Sequence, residues 1–305
     1  MATQVREDAG VLGFEPKWAD VDGINTRYYE VGEQNEEVMV LMHGSLFDGI
    51  VSANTWTLNL EGLGKKYHVY AVDKLGSGLT DNPKSIEEYT QHHIIQHLHQ
   101  FIDQMGVKDY HMAGQSNGGY TVARLAMEMP GRCKSLIISD SGTLGPAVGD
   151  MQERRRVMYE NMPVDPREAL IQRWTRLDYT TEDLTDEYVD TALYLGGTPK
   201  ALQTKVDLKA GGTEANQSRF ADDKAETLRW IEEGRLDMPV LLTWGFNDPS
   251  AIVEVGHALF QMLSKGTPHA EMHIFNHAGH FHFRERPDDY NGVVMDFITR
   301  TAGRS

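Results

Sequence analysis

Short apolar runs recur along the chain and predict a sheet of buried strands. They cover residues 38–42, 69–72, 112–113, 136–138 and 240–242, with a polar-interrupted sixth run at residues 272–275. Runs that are apolar throughout are typical of strands covered on both faces, as in a parallel sheet. Helical spacing separates them at residues 89–105, 121–129, 253–263 and 288–301. The alternation predicts an α/β fold with a mostly parallel central sheet and helices on both faces.

Two regions depart from this alternation. Asp22-Gly23 predicts a hairpin turn between arms at residues 17–21 and 25–31. Residues 146–236 are rich in charges and helix formers, lack a convincing buried strand and are too long for a loop. Because residues 240–242 resume the sheet, we expect one core domain built from residues 1–145 and 237–305. The intervening segment is predicted to form a helical lid over the carboxyl edge of the sheet, where open α/β sheets bind ligands.

A serine stands in a sharp turn between a strand and a helix. Ser116 lies in Gly114-Gln115-Ser116-Asn117-Gly118, directly after the strand at residues 110–113. This order is the context in which G-x-S-x-G forms a nucleophile elbow, with glycines that let strand and helix approach. We predict Ser116 as a catalytic nucleophile; the alternative is a glycine-rich turn without catalytic function.

The nucleophile requires a base, and the base requires an orienting carboxylate. In an elbow fold these residues follow along the chain as serine, acid and histidine. Asp248 is the predicted acid because it stands just past the strand that starts at residue 240. The alternative acid is Asp140, which ends the preceding strand.

The loop before the last helix supplies the predicted base. It reads Asn276-His277-Ala278-Gly279-His280-Phe281, and the glycine lets the loop turn inward. We assign His280 as the general base and regard His277 and His282 as bystanders.

The second strand of the core ends in His43-Gly44-Ser45-Leu46, followed by a long loop. We predict an oxyanion hole from the backbone N–H of Asn117 on one side and that of Ser45 or Leu46 on the other. His43 is expected to brace this loop and not to take part in the chemistry.

Composition and charge exclude several classes of partner. The formal net charge of −16 argues against binding of nucleic acid or of an anionic membrane. The single cysteine, Cys133, lies in an apolar run and suits a reducing compartment. Residues 1–10 lack an apolar leader, and no stretch approaches the ~20 apolar residues of a membrane span. We expect a soluble, cytoplasmic protein.

Two further motifs do not carry chemistry. His93 and His97 have the spacing of a zinc pair, but no glutamate follows His93 and no other residues complete a tetrahedral set. Gly76 and Gly78 follow a strand as in a dinucleotide fingerprint, but Asp81 occupies the third glycine position. We expect neither a metal nor a nicotinamide or flavin cofactor.

Four segments resemble the α/β hydrolases, and within them the meta-cleavage product hydrolases. They are residues 73–83 (DKLGSGLTDNP), the Ser116 elbow, residues 244–249 (WGFNDP), and Gly279-His280 leading into Phe283-Arg284-Glu285. The resemblance covers essentially the whole chain and implies an α/β-hydrolase fold with a helical lid. It identifies Ser116, Asp248 and His280 as the catalytic triad.

The resemblance implies hydrolysis of a carbon–carbon bond without a cofactor. The substrate would be a 2-hydroxy-6-oxo-dienoate, a ring-cleavage product of an aromatic compound. Dimers are common among such relatives, so the resemblance also implies a homodimer. Two alternatives remain open: a carboxylesterase or lactonase with the same triad, and a non-catalytic small-molecule-binding protein of this fold.

The substrate-binding residues expected from the resemblance are Gly44, Gln115 and Phe281. Gln115 stands where many members have asparagine, and Phe281 stands where many have tryptophan. Ala192 aligns with a lid arginine that holds the substrate carboxylate in several members. The cations that could replace it are Arg219, Arg173 and Arg284, of which we take Arg219 as the candidate.

Overall fold

The computed structural model describes residues 5–302, which form one eight-stranded sheet. The strands are β1 Lys17–Val21, β2 Ile24–Val31, β3 Val38–Met42, β4 His68–Val72, β5 Tyr110–Gln115, β6 Cys133–Ser139, β7 Val240–Gly245 and β8 Ala270–Phe275. Their order across the sheet is β1-β2-β4-β3-β5-β6-β7-β8. β2 pairs antiparallel with β1 and β4, whereas the pairings from β4 to β8 are parallel. The predicted mostly parallel sheet with an antiparallel entry hairpin is confirmed.

Both faces of the sheet are buried, which explains why the strand segments are apolar throughout. Val40 and Met42 of β3 pack into one hydrophobic cluster. Met39 and Leu41, on the opposite face of the same strand, pack into a second cluster. Successive side chains of a strand point to opposite faces, so a strand covered on both sides needs apolar residues at every position.

Helices cover the two faces and fill the segment between β6 and β7. Within residues 5–302 they are α1 Thr57–Gly64, α2 Gln91–Gln104, α3 Asn117–Glu128, α4 Met151–Tyr159, α5 Pro166–Leu177, α6 Asp186–Gly197, α7 Pro199–Asp207, α8 Thr213–Glu232, α9 Val253–Leu263, α10 His282–Glu285 and α11 Pro287–Thr301. None of them is long and apolar enough to cross a membrane. The sequence pattern missed α1, whose buried face includes the polar Thr57 and Asn59. It also placed the start of α3 four residues too late.

The segment between β6 and β7 contains helices α4 to α8, and α5 contacts the loops that follow β3 and β8. Arg173 of α5 forms an ion pair with Asp48 in the loop after β3. The carbonyl oxygen of Leu177, at the end of α5, accepts a hydrogen bond of 2.8 Å from the backbone N–H of His280. These contacts place the insertion against the carboxyl edge of the parallel strands.

The strand order reverses between β3 and β5, since the chain passes from β3 outward to β4 and then back to β5. In open α/β sheets the crevice beyond the carboxyl ends of the strands at such a reversal is where ligands bind. Gly44 and Ser116 follow these two strands directly, so the topology alone brings them to one place.

Candidate active site

Ser116 occupies the turn between β5 and α3 in a strained backbone conformation, with φ 53° and ψ −120°. The glycines on either side make this turn possible. A Cβ atom at Gly114 would collide with the backbone of Gly118, and one at Gly118 would collide with the carbonyl oxygen of Met42. Strain of this kind persists only where surrounding packing enforces it, and it is concentrated at functional sites. The predicted nucleophile elbow therefore has the expected geometry.

The predicted acid and base are hydrogen-bonded to each other. Nδ1 of His280 lies 2.6 Å from Oδ2 of Asp248, and both side chains are buried. The other oxygen of Asp248 accepts hydrogen bonds from the backbone N–H groups of Ser250 and Ala251 and from the Ser250 hydroxyl, at 2.7, 3.0 and 2.9 Å. These donors fix the carboxylate, which in turn fixes the tautomer and orientation of the imidazole.

The electrostatics of this pair favour a charged histidine. Burial lowers the pKa of the His280 imidazole, but the charge of Asp248 and the hydrogen bond to it outweigh burial and raise this pKa above its ordinary value. Burial raises the pKa of Asp248, but the charge of His280 and the hydrogen-bond donors outweigh burial. The pKa of Asp248 is therefore below its ordinary value, and the carboxyl stays ionised. The pair can accept the proton of a serine hydroxyl and stabilise the imidazolium that forms.

The backbone around His280 is held from three sides. Besides the hydrogen bond to Leu177, the carbonyl of His280 accepts one of 3.2 Å from the side-chain amide of Gln115. The backbone N–H of Gly279 donates to Glu285 at 2.7 Å. Glu285 also accepts hydrogen bonds from the N–H groups of Tyr179 and Thr180, so one carboxylate joins the histidine loop to the inserted segment.

The loop after β3 lies beside the elbow, as an oxyanion hole requires. A Cβ atom at Gly44 would meet the Gln115 side chain and would lie 3.1 Å from Cβ of Ser116. Ser45 has φ 57°, a left-handed conformation that turns the chain at this point. Within residues 5–302 the backbone N–H groups of Ser45, Leu46 and Asn117 donate to no protein acceptor. They are free to bind an oxyanion.

His43 braces this loop, as predicted. Its Nδ1 lies 2.8 Å from the carbonyl oxygen of Gly44, and its Nε2 accepts the backbone N–H of Lys74 at 3.1 Å. Burial lowers the pKa of His43 well below its ordinary value, so the ring is neutral.

Lys74 is a residue that the sequence analysis missed. It follows β4 and is buried, and its Nζ donates hydrogen bonds of 2.7 Å both to the carbonyl oxygen of Ser45 and to the side-chain oxygen of Asn117. Burial lowers its pKa well below the ordinary value. One side chain thus connects the two segments that carry the N–H groups of the predicted oxyanion hole. The signal in the sequence was a lysine at a strand end, next to the apolar run of β4.

Replacement of Lys74 by methionine is expected to lower kcat about 10²-fold, because both arms of the oxyanion hole lose their shared anchor. KM is expected to change little, since the interaction matters where charge develops. Steady-state kinetics on a chromogenic ester measure both constants. Lys65→Met, at an exposed lysine that ends α1, is the matched control. Equal kcat values for the two variants would contradict this function of Lys74.

The alternative acid, Asp140, is not hydrogen-bonded to His280. Its carboxylate is paired with Nδ1 of His282, and both side chains are fully buried. His282 is thus part of a buried pair, whereas His277 is exposed and stacks on Tyr179 at 5.1 Å between ring centroids. Asp248 is the carboxylate that orients His280.

The candidate cations differ in what already binds them. Arg284 is buried and bonded to Asp178, Asp183 and Tyr188. Arg219 is exposed on α8, 3.9 Å from Asp223. Arg173 is paired with Asp48 in the loop after β3, and its charge lowers the pKa of His280. Ala192, which the sequence analysis aligned with a lid arginine, is buried in a hydrophobic cluster. Phe281 is buried with its ring edge-on to His280, 5.2 Å between centroids.

A family model described as the alpha/beta hydrolase fold matches residues 37–287. The chain belongs to the α/β-hydrolase fold family. The match spans both halves of the core and the inserted helices, and it includes Ser116, Asp248 and His280.

Curated and structural relatives place this α/β hydrolase among enzymes of different specificities. It is 27% identical over 278 residues to a 2-hydroxy-6-oxononadienedioate/2-hydroxy-6-oxononatrienedioate hydrolase of Cupriavidus pinatubonensis, covering 86% of each chain. A meta-cleavage product hydrolase from Pseudomonas fluorescens has the same fold with a TM-score of 0.75, at 21% identity and covering 93% of this chain and 97% of that one. A bacterial membrane phospholipase A matches with a TM-score of 0.71 at 22% identity, covering 97% and 89%. The fold alone therefore does not decide which bond this α/β hydrolase cleaves.

The histidines of α2 in this α/β hydrolase serve structural contacts. His97 is buried and its Nε2 lies 2.9 Å from the hydroxyl of Thr26. The Nδ1 of His93 lies 2.8 Å from the hydroxyl of Thr90, the residue that caps the helix. Each ring of the spaced pair thus has a threonine partner: Thr26 of β2 for His97, and the cap residue Thr90 of the same helix for His93.

Proposed function

We propose that this α/β hydrolase cleaves the carbon–carbon bond of a 2-hydroxy-6-oxo-dienoate, with Ser116 as nucleophile, His280 as base and Asp248 as the orienting acid. The observation that carries the proposal is the buried His280–Asp248 hydrogen bond of 2.6 Å, together with a serine at φ 53° whose neighbour Gln115 is hydrogen-bonded to the carbonyl of His280. The relative from Cupriavidus pinatubonensis, named for 2-hydroxy-6-oxo-dienedioate substrates, supports the choice of bond.

The chemistry needs only the groups of this site. A proton moves from the 2-hydroxyl of the substrate to C5, which gives the 2,6-diketone. Ser116 adds to C6 while His280 takes its proton, and the N–H groups of Asn117 and of Ser45 or Leu46 bind the oxyanion. The C5–C6 bond then breaks, and its electron pair is delocalised onto the 2-oxo group. The His280 imidazolium gives its proton to that oxygen, and the first product leaves as a 2-hydroxydienoate. The neutral His280 then deprotonates water as it adds to the acyl group, and returns this proton to the Ser116 oxygen when the carboxylic acid is released.

Arg173 is the residue best placed to hold the substrate carboxylate. Its two terminal nitrogens both lie 3.2 Å from one oxygen of Asp48, which leaves its Nε as a buried N–H without a partner among the described residues. Asp48 stands two residues after Leu46, so this ion pair lies next to the oxyanion loop. A carboxylate at Arg173 would satisfy the free N–H and use the planar geometry that guanidinium offers to carboxylates.

Arg173→Met is expected to lower kcat/KM on a dienoate about 10²-fold, since a charge-assisted contact contributes roughly 2–3 kcal/mol. On a neutral p-nitrophenyl ester the change should stay within about threefold, because no carboxylate is lost. Since the charge of Arg173 opposes the protonation of His280, its removal should also raise the pKa of His280 and move the acid limb of kcat/KM to higher pH.

Arg167→Met is the matched control for this experiment. Arg167 lies on the same helix, but its side chain is 40% exposed and pairs with Asp186 and Asp190. Its loss should leave both substrates unaffected. Equal losses on dienoate and ester in Arg173→Met would contradict an anchoring function for Arg173.

A carboxylesterase or lactonase with the same triad is the second candidate. It is favoured by the pairing of Arg173 with Asp48, which neutralises the cation, and by Ala192 in place of a lid arginine. Comparing kcat/KM on a dienoate with that on a set of aryl esters and lactones separates the two. The proposal predicts faster turnover of the dienoate, with equimolar formation of a carboxylic acid and a 2-hydroxydienoate. Turnover of esters alone would favour the second candidate.

A further inference from the structure

A second buried carboxylate–imidazole pair lies beside the Asp248–His280 pair. One oxygen of Asp140 is bonded to Nδ1 of His282, and the other accepts the backbone N–H of Gly245 at 2.9 Å. Asp140 and His282 are both 0% exposed, and the proposed reaction uses neither. A buried acid with an imidazole partner is costly to maintain unless it is well bonded, so its presence next to the base calls for an explanation.

The two pairs are close enough to act on each other. A carboxylate oxygen of Asp140, one of Asp248 and a ring nitrogen of His280 all lie within 4.8 Å of one another. Gly245 joins the two acids through its backbone, because its N–H binds Asp140 and its carbonyl accepts the N–H of Asp248 at 3.2 Å. At this separation, in a buried site, the charge of one acid changes the energy of the imidazolium substantially.

We propose that Asp140 is a positioning residue for the base: a second carboxylate that stabilises the His280 imidazolium and partly replaces Asp248 when that acid is removed. The inference rests on the proposed function of Ser116, Asp248 and His280 as a triad.

The hydrogen bonds indicate where the protons of this cluster lie. Nε2 of His282 is buried and has no partner within residues 5–302, so its proton is better placed on Nδ1, from which it is donated to Asp140. Burial lowers the pKa of His282 to about 3, which keeps this imidazole neutral. When it is ionised, Asp140 accepts both hydrogen bonds, from His282 and from the N–H of Gly245.

The carboxylates of Asp140 and Asp248 repel each other, and each attracts the positive charge of the His280 imidazolium. Burial, and then the negative charge of Asp248, raise the pKa of Asp140 well above its ordinary value, although the charge of His280 and the N–H of Gly245 oppose that rise. Removal of Asp248 therefore eliminates the repulsion and favours the ionised form of Asp140. The second acid becomes more effective when the first is lost.

The charged and titratable groups around His280 come from four elements. They are Asp140 after β6, Asp248 after β7, His282 and Glu285 of α10, and Arg173 of α5. Burial lowers the pKa of His280, Asp248 and then Asp140 raise it, and Arg173 lowers it. Loss of the Asp140 charge should consequently lower the pKa of His280, the opposite of the change expected for Arg173→Met.

The test compares the wild type with Asp140→Asn, Asp248→Ala and the double variant. The readout is the second-order rate constant for modification of Ser116 by an aryl fluorophosphonate, measured across the pH range in which the proteins remain folded. This rate reports activation of Ser116 by His280 and does not require the natural substrate. Asparagine at position 140 keeps an acceptor for Gly245 and can donate to His282 in its other tautomer.

Asp140→Asn is expected to lower the plateau rate about three- to tenfold and to shift the pH midpoint downward. Asp248→Ala is expected to lose about 10²-fold, and the double variant about 10⁴-fold, the loss typical of a triad without its acid. Equal rates for Asp248→Ala and the double variant, or an unmoved midpoint in Asp140→Asn, would overturn the proposal. If Asp140→Asn does not fold, Asp140→Ser serves the same comparison with the same expected shift.

The same experiment distinguishes an error in the proposed function of Asp140 from an error in the proposed triad. If Ser116 of the wild-type protein is not modified, both the proposed triad and the proposed function of Asp140 are contradicted. If the wild type is modified normally but Asp248→Ala and the double variant react at equal rates, only the proposed function of Asp140 is contradicted.

Discussion

Ser116→Ala is expected to lower kcat by about 10⁴- to 10⁶-fold, on esters and on dienoates alike. The hydroxyl is the atom that would form the acyl-enzyme, so its removal eliminates the covalent route. Alanine keeps the Cβ atom, so the elbow backbone at φ 53° is not further strained. The measurement combines steady-state turnover with mass spectrometry after exposure to a fluorophosphonate, which should add one adduct to the wild type and none to the variant.

Ser264→Ala is the control for the serine substitution. Ser264 is exposed after α9, and its hydroxyl donates to the carbonyl of Gln261. Its loss should change neither turnover nor labelling. A Ser116→Ala protein with turnover within tenfold of the wild type would show that the elbow serine is not the nucleophile.

Gly118→Ala is expected to damage both stability and activity. The added Cβ would collide with the carbonyl oxygen of Met42, a backbone atom of β3 that cannot rotate away. Overpacking of this kind typically costs about 1–3 kcal/mol. Relief of the collision must separate α3 from β3, and thus Asn117 from the oxyanion loop. A displacement of roughly 1 Å can lower the rate about 10²-fold.

Urea unfolding and ester turnover measure the two effects of Gly118→Ala. Gly292→Ala is the control, because a Cβ there meets no atom within 4 Å and the residue lies in α11. That change should leave the rate unaltered and stabilise the protein by up to about 1 kcal/mol. A Gly118→Ala protein with wild-type stability and rate would contradict the close approach of α3 to β3.

Most of the fold was predictable because its signals are local. Buried strands such as β3 and β7 are apolar at each position, and their observed positions match the predicted runs or extend them by a few residues. Helix α9 was predicted at its observed bounds. The helix α1 was missed because its burial depends on partners distant in sequence: Asn59 is bonded to Asn291 and to the backbone of Phe283.

The residues of the proposed triad could be selected from the sequence because each stands at a characteristic place after a strand. In the structure a carboxylate oxygen of Asp248 lies 2.6 Å from Nδ1 of His280, whereas Asp140 is hydrogen-bonded to His282. The sequence favoured Asp248 but left Asp140 open as the alternative, since the two acids follow neighbouring strands. Side-chain direction after a strand depends on the turn that follows, and only the tertiary structure fixes it.

The charged groups around the site were the least predictable. Lys74 and Arg173 look like ordinary solvated residues in sequence, and only packing buries the first beneath Ser45 and Asn117. Arg219, the cation chosen from sequence, lies exposed on α8 with Asp223 beside it. A lysine or arginine gains its function from the carboxylates and carbonyls around it, which come from other segments of the chain.

The most direct test of the proposed function is single-turnover absorbance with a yellow ring-cleavage dienoate, with enzyme in excess over substrate. The proposal predicts rapid bleaching by the wild type, and a chromophore that binds but is not consumed in Ser116→Ala. A wild-type protein that leaves the dienoate unchanged while hydrolysing p-nitrophenyl esters would contradict carbon–carbon cleavage and leave an esterase or lactonase.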